Sequence, residues 1–260
     1  MIVFFLNGGL GLRLLDFVIQ REIAEKIIIV TNNSDKKGFE FKEQAQESLS
    51  KSQNLNAKIL SWDEFKAFSH GNQNLKIGVS AMFGHIIPQN VIEAFEIGIF
   101  NLHPSLLPIN RGANPIMWAI LDNQPQGVTL HKVDNSIDTG PIVSQMKLET
   151  SLDMNARKIY ELCMDALFDI FVSKWEDLIS GKVLYSNQPL ELGNIHFAKE
   201  IKILERVNYD EAITPRELIR RIQAFDHGNL RKLKYIDENN HEWEMSINLR
   251  KCEQSEDQRL

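Results

Sequence analysis

Residues 100–120, FNLHPSLLPINRGANPIMWAI, and residues 127–142, GVTLHKVDNSIDTGPI, decide how this chain is read. Two strand-like runs, IGIFNLH at 97–103 and GVTLHKV at 127–133, each lead into a polar loop. Asn101 and His103 stand two apart at the end of the first run, so in extended chain they share a face. Asp138 stands in a DTG loop just beyond the second run. A carboxamide, an imidazole and a carboxylate on loops at strand ends can polarise a carbonyl, move a proton and orient the imidazole.

Upstream, short apolar runs alternate with longer amphipathic ones. Ile2–Leu6, Ile27–Thr31, 58–60 and 77–82 read as strands, and 12–25, 38–49, 62–69 and 88–95 as helices between them. Ser61 and Glu64 form a capping box for the third helix. Continuous apolar strands alternating with helices predict an α/β fold, a doubly wound and mostly parallel sheet covered on both faces. Ligands in such sheets bind outside the carboxyl ends of the strands. That rule places residues 83–88, 101–103 and the Asp138 loop at one edge.

Residues 152–181 read as one long helix, with Ala156, Ile159, Tyr160, Cys163, Leu167, Ile170, Phe171, Trp175 and Leu178 on a core-facing stripe and Gly181 ending it. Beyond about Tyr185 the texture changes. SNQPLELGN at 186–194 reads as a loop, and Thr214-Pro215-Arg216-Glu217 as a full capping box opening a helix to about Ala224. Two strand-like runs follow, Leu233–Ile236 and 243–247. The expected division is a domain over 1–185 and a small helix-plus-hairpin subdomain over 186–260, with a frayed polar end at 252–260.

With 43% hydrophobic and 25% charged residues the chain has an ordinary globular composition and should bury a sizeable core. A net charge of -6 gives no general attraction to nucleic acid or to an anionic membrane. Cys163 and Cys252 lie far apart with no CxxC or Cys/His cluster, and no close-spaced ligand motif occurs, so a reduced, cytoplasmic setting and no metal are expected. MIVFFL lacks a basic leader, and no run approaches the roughly 20 apolar residues of a membrane span, so it reads as the first buried strand. Gly9 and Gly11 begin a GxGxxG pattern, but Leu14 occupies the third glycine's place, which leaves a tight strand-to-helix turn. Arg13 nearby reads as solvated and Trp118 as core.

The ordered set NLHPSLLP, RG, GVTLHKVD and DTGP resembles the folate-dependent formyltransferases, a family that includes glycinamide ribonucleotide transformylase, methionyl-tRNA formyltransferase and nucleotide-sugar N-formyltransferases. The resemblance is close over residues 80–142. It implies that Asn101, His103 and Asp138 are catalytic: the first two aimed at the oxyanion of a tetrahedral intermediate, the third orienting His103 and taking up the amine's proton. His131 falls on a recurring family histidine and would be a supporting residue. The resemblance also implies 10-formyltetrahydrofolate as cosubstrate, held by Met82, Phe83, Gly84, His85 and Ile86 on one side and Val133 and Asp134 on the other.

For the acceptor, the tail is the guide. Residues 186–260 carry 12 Lys and Arg against 14 Asp and Glu, which gives no basic domain for tRNA. FAKEIKILERVN and TPRELIRRIQAF are similar to the tail of nucleotide-sugar N-formyltransferases, which implies an amino deoxysugar on a nucleoside diphosphate, serving surface glycan synthesis. Arg111 and Gly9 are candidate substrate contacts, Arg111 equally a loop brace, and a homodimer is possible for such a tail. A methionyl-tRNA-type enzyme acting on another amine, a formyltetrahydrofolate hydrolase or a folate-binding module stay open as alternatives.

Overall fold

The computed structural model describes residues 1–251 other than 22, 24, 33–35, 52–54, 72–73 and 229–230, and the side chains of 36–39 are also left aside. Cys252 and the polar end at 252–260 therefore lie outside the described residues. In chain order the first elements are β1 (Ile2–Leu6), α1 (Gly8–Gln20), β2 (Ile27–Thr31), α2 (Lys36–Ser50), β3 (Ala57–Ser61) and α3 (Trp62–Ser69). Next come β4 (Leu75–Ala81), α4 (Gln89–Ile92), β5 (Phe95–His103), β6 (Arg111–Gly112), α5 (Pro115–Leu121), β7 (Gly127–Lys132), β8 (Ile142–Lys147) and α6 (Ala156–Ser180). The chain finishes through β9 (Ile195–His196), β10 (Arg206–Asn208), α7 (Pro215–Phe225), β11 (Leu233–Ile236) and β12 (Glu242–Met245).

Seven strands make the main sheet in the order β3-β2-β1-β4-β5-β7-β8. The first five are parallel, and β7 and β8 add to the edge antiparallel. Side chains alternate across the sheet, and β1 shows what that does. Phe4 points to one face and stacks on Trp175 of α6, with centroids 6.2 Å apart. Phe5 points to the other and meets Phe65 of α3 edge-on at 5.2 Å. Each face has its own apolar cluster, one under α1 and α6 and one under α3, so the sheet is covered on both sides. A third cluster joins Met117 of α5 to Val207, Ile222, Phe225 and Leu233 of the tail.

Several element boundaries differ from expectation for local reasons. Helix α1 begins at Gly8, not residue 12, because the extended Asn7 accepts the Gly8 N–H through its side chain. It ends at Gln20 as the Arg21 N–H turns to Val18 O, three residues back, and tightens the last turn. Strand β4 stops at Ala81 because Met82 adopts a left-handed φ of 56°. The expected helix at 88–95 shrinks to α4, since the buried Phe95 already belongs to β5. Helix α6 starts at Ala156, capped by Asn155 on the Lys158 N–H, and ends at Gly181 with φ 71°. The Ser61–Glu64 capping box forms in both directions. At α7 only half of it does: Thr214 accepts the Glu217 N–H, whereas the Glu217 carboxylate turns to Arg221 at 3.2 Å. The final strand runs over Glu242–Met245, in register with β11, rather than over 243–247.

Candidate active site

The carboxyl ends of β1, β4 and β5 lie side by side. Asn7 N donates to Ala81 O at 3.1 Å, and Ala81 is in register with Leu102. Asn101 and His103 share one face of β5, where the antiparallel β7 sets His131 opposite Asn101 and Thr129 opposite His103. Thr129 is fully buried and ties down the turn after β5: it donates to Ser105 O at 2.6 Å and accepts the Leu107 N–H.

Asp138 completes the group from the loop after β7, at φ 51°. Its Oδ2 accepts the Gly112 N–H at 2.9 Å and faces His103 Nδ1 at 3.5 Å. Its Oδ1 faces His131 Nε2 at 3.4 Å. Two glycines allow this approach. A Cβ on Gly140 would overlap Lys132 O, and one on Gly112, at φ 87°, would overlap His196 O. Asp134 braces the same loop, accepting the Ser136 N–H and the Thr139 hydroxyl. Val133 donates its N–H to Ile99 O and packs against the second apolar cluster.

The carbonyl partners define the ring protons. His103, only 5% exposed, has Nε2 at 3.1 Å from Asn110 O, so that nitrogen carries the hydrogen. His131 likewise donates from Nδ1 to Lys132 O at 3.0 Å. In neutral rings the remaining nitrogens, His103 Nδ1 and His131 Nε2, present lone pairs toward Asp138. Asn101 Nδ2 donates to His131 Nε2 at 3.3 Å and retains a second N–H. His103 thus has its one neutral-ring donor on Asn110 O in this state, whereas the expectation aimed that donor at an oxyanion.

Electrostatics follow from these contacts. Burial, the largest influence on Asp138, acts to raise its pKa, but His103, His131 and the Gly112 N–H outweigh it and hold the carboxyl well below the usual range. For His103 burial is again largest and depresses the imidazole, with Asp138 pulling the other way. Asp138 is thus held ionised beside a His103 ring whose burial favours the neutral form, so the pair can take up one proton between them.

The segment 82–86 leaves β4 beside this cluster. Phe83 packs on Phe5 and Trp62, each at 5.4 Å, and the His85 ring stacks on Trp62 at 5.8 Å. Gly84 N donates to Asn32 Oδ1, and Ile86 stands 79% exposed. Met82 packs toward the opposite, α1–α6 cluster. Gly9 lies exposed in the first turn of α1, with nothing within 4 Å of a Cβ built there. Arg111 is half-buried, its Nε 3.4 Å from Asn194 O, as a loop brace would be. Arg13 is paired with Asp165 at 2.7 Å and sits over Phe168. Trp118 stacks on His196 with centroids 3.9 Å apart, beside the third cluster. Among the described residues no group of three or more His, Cys, Asp or Glu side chains is arranged to hold a metal ion.

The family model described as formyl transferase matches residues 1–174, which contain Asn101, His103, His131 and Asp138. The chain belongs to the formyl transferase family. A dTDP-4-amino-4,6-dideoxyglucose formyltransferase of Mycobacterium tuberculosis is 28% identical over 137 residues, 53% of this chain and 58% of that one. A methionyl-tRNA formyltransferase of Azobacteroides pseudotrichonymphae is 34% identical over 147 residues, 56% of this chain and 43% of that one. These matches thus span about half the length of the curated relatives. Among solved structures, a 4-N formyltransferase from Francisella tularensis superposes with a TM-score of 0.78 at 22% identity, over 96% of this chain and 98% of the other. WlaRD, a sugar 3N-formyl transferase solved with dTDP and 5-N-formyl-THF, superposes with a TM-score of 0.70 at 26% identity, over 86% of this chain and 78% of the other. Over nearly the whole chain the fold is that of the Francisella formyltransferase.

Asn110, Gln188 and Asn194 contribute to the site and were not anticipated from sequence. Each is a carboxamide in a polar loop, and neither spacing nor periodicity marks it.

Proposed function

We propose that this protein transfers a formyl group from 10-formyltetrahydrofolate to the amine of a nucleotide-linked amino deoxysugar. The observation that carries this reading is the Asn101–His103–Asp138 cluster, held by a family-type fold at the carboxyl edge of the sheet. Residues 1–185 would form the catalytic domain and 186–260 a small subdomain beside it. A 4-amino or 3-amino sugar is supported by the likeness to a 4-N formyltransferase over 96% of this chain and to the sugar 3N-formyl transferase WlaRD over 86% of it. The methionyl-tRNA enzymes instead match over less than half of their length, and the acidic tail offers no basic face for tRNA.

The half-buried Phe83 and His85, ranged with Trp62 beside the exposed Ile86, suit one face of a flat heterocycle, so segment 82–86 fits the formyl donor. The donor, when bound, supplies the electrophilic formyl carbon. The second N–H of Asn101 stabilises the negative oxygen that develops as the amine adds to that carbon. Asp138, with the lone pair of His103 Nδ1 beside it, receives the proton that the amine gives up and returns it as the carbon–nitrogen bond to the donor breaks. Burial of His103 keeps the ring neutral, ready to share that proton.

The test is an assay with 10-formyltetrahydrofolate and a panel of nucleotide-linked 3-amino and 4-amino sugars, read by mass. Formylation of one member supports the proposal. Folate turnover that ignores every amine would point to hydrolysis, and formylation of methionyl-tRNA alone would point to the tRNA class.

A further inference from the structure

The segment at 186–196 lies outside the family-matched residues, and its stretch 186–194 reads as a loop from sequence, yet it sends two carboxamides into the site. Gln188 Nε2 donates to Asp138 O at 3.0 Å and to Gly140 O at 2.6 Å. Those carbonyls bracket Thr139, within the turn that holds Asp138 at its left-handed φ of 51°. Asn194 acts on the other member of the pair. Its Oδ1 accepts the Asn110 N–H at 2.6 Å and its Nδ2 reaches Asn110 Oδ1 at 3.1 Å. Asn110 is 1% exposed, at φ 56°, and its carbonyl is the group that fixes His103 Nε2.

The segment is itself anchored at both ends. Ser186 and Ile142 exchange backbone hydrogen bonds at 2.8 and 2.9 Å, and the short strands β6 and β9 pair at Arg111–Ile195 and Gly112–His196. One carboxamide therefore sets the backbone that carries Asp138, and the other sets the carbonyl that aims His103. The two reacting side chains face each other at 3.5 Å, so their alignment rests on the backbone beneath them.

We propose that Gln188 and Asn194 are positioning residues for formyl transfer, which makes the segment after α6 part of the catalytic machinery rather than a linker. The proposal rests on the reading of Asn101, His103 and Asp138 as the transfer site. A left-handed non-glycine residue keeps its conformation only where its surroundings over-determine it, and a displacement of about 1 Å at a reacting group can cost on the order of 100-fold in rate. Both carboxamides bond to the chain itself, so their loss should lower kcat while leaving KM for either substrate in place.

Gln188→Met keeps length and removes both donors. Asn194→Leu removes donor and acceptor, whereas Asn194→Asp keeps the acceptor for the Asn110 N–H. The expected result is a kcat lower by about 10- to 100-fold in Gln188→Met and Asn194→Leu, KM values within about twofold, and most of the rate regained in Asn194→Asp. A second readout needs no substrate: the His103 Nε2–H proton resonance, slowed in exchange by Asn110 O, should shift or vanish in Asn194→Leu and persist in Asn194→Asp. If wild-type protein formylates no amino sugar, the functional reading fails while this resonance still tests the positioning. Unchanged kcat with a lowered Tm, or an unmoved His103 resonance, would overturn the proposal. Should Asn194→Leu not fold, Gln188→Met decides by its kcat.

Discussion

The Oδ2 atom of Asp138 faces Nδ1 of His103 at 3.5 Å, while the far side of that ring is bound through Nε2–H to Asn110 O. A neutral ring pinned in this way turns its lone pair toward the carboxylate. Ring and carboxylate are then two acceptors looking at each other, and a proton arriving between them satisfies both. Asp138→Asn should keep the fold, because an amide donates to the lone pair it meets, but it cannot take up the amine's proton. A loss of about 100-fold or more in kcat is expected, measured by formyl transfer under single turnover.

Asn101 contributes a neutral donor, with one N–H on His131 and the other without a partner among the described residues. Asn101→Ala should lower kcat by about 100- to 1000-fold, the range for removing one oxyanion donor. KM for the formyl donor should change little. Steady-state kinetics on folded protein, verified by circular dichroism, checks the split.

The depressed pKa values predict how stability falls in acid. Asp138 binds protons less readily in the fold than in the unfolded chain, so its contribution is complete above the unfolded value of about 3.9 and is lost as pH falls through the lower folded value. His103, depressed by burial, acts in the same sense in a higher window, with stability falling as pH drops below about 6.5. Tm should decline in both windows as pH is lowered from about 8 to about 2. Asp138→Asn should flatten the lower decline. A Tm that rises on acidification through either window would contradict these assignments.

Gly140 allows Lys132 O to approach the Asp138 loop more closely than any side chain permits. Gly140→Ala should destabilise the protein by about 1–3 kcal/mol, and its kcat should fall further than that loss of stability explains, because Asp138 stands two residues away. Thermal unfolding and activity measured together separate the two effects.

Ile86 projects from segment 82–86 with most of its surface in solvent, so the fold gains little from it. If the formyl donor covers it, Ile86→Ala should raise the donor's KM by roughly tenfold, the worth of about 1–2 kcal/mol of apolar burial, with Tm unchanged. An unchanged KM would remove this residue from the donor site.

Much of this was legible in the sequence because the signals are local. IVFFL and IIIV are unbroken apolar runs and form strands buried on both faces. The two-residue spacing of Asn101 and His103 placed both on one face, and His131 joins them from the neighbouring strand. Helix starts were less visible: Asn7 caps a helix whose first residues, Gly8 and Gly9, carry no apolar period. Gln188 and Asn194 were invisible for a different reason. Their partners lie 50 and 84 residues back in the chain, and a carboxamide in a polar loop looks the same whether it meets water or a buried carbonyl.

The most direct measurement is the rate of tetrahydrofolate formation from 10-formyltetrahydrofolate, with and without a dTDP-linked 4-amino sugar, in wild-type protein and in Asp138→Asn. The account predicts turnover that requires the amine, matches the appearance of formylated sugar and collapses in the variant. Turnover independent of the amine, or persisting in Asp138→Asn at the wild-type rate, would contradict it.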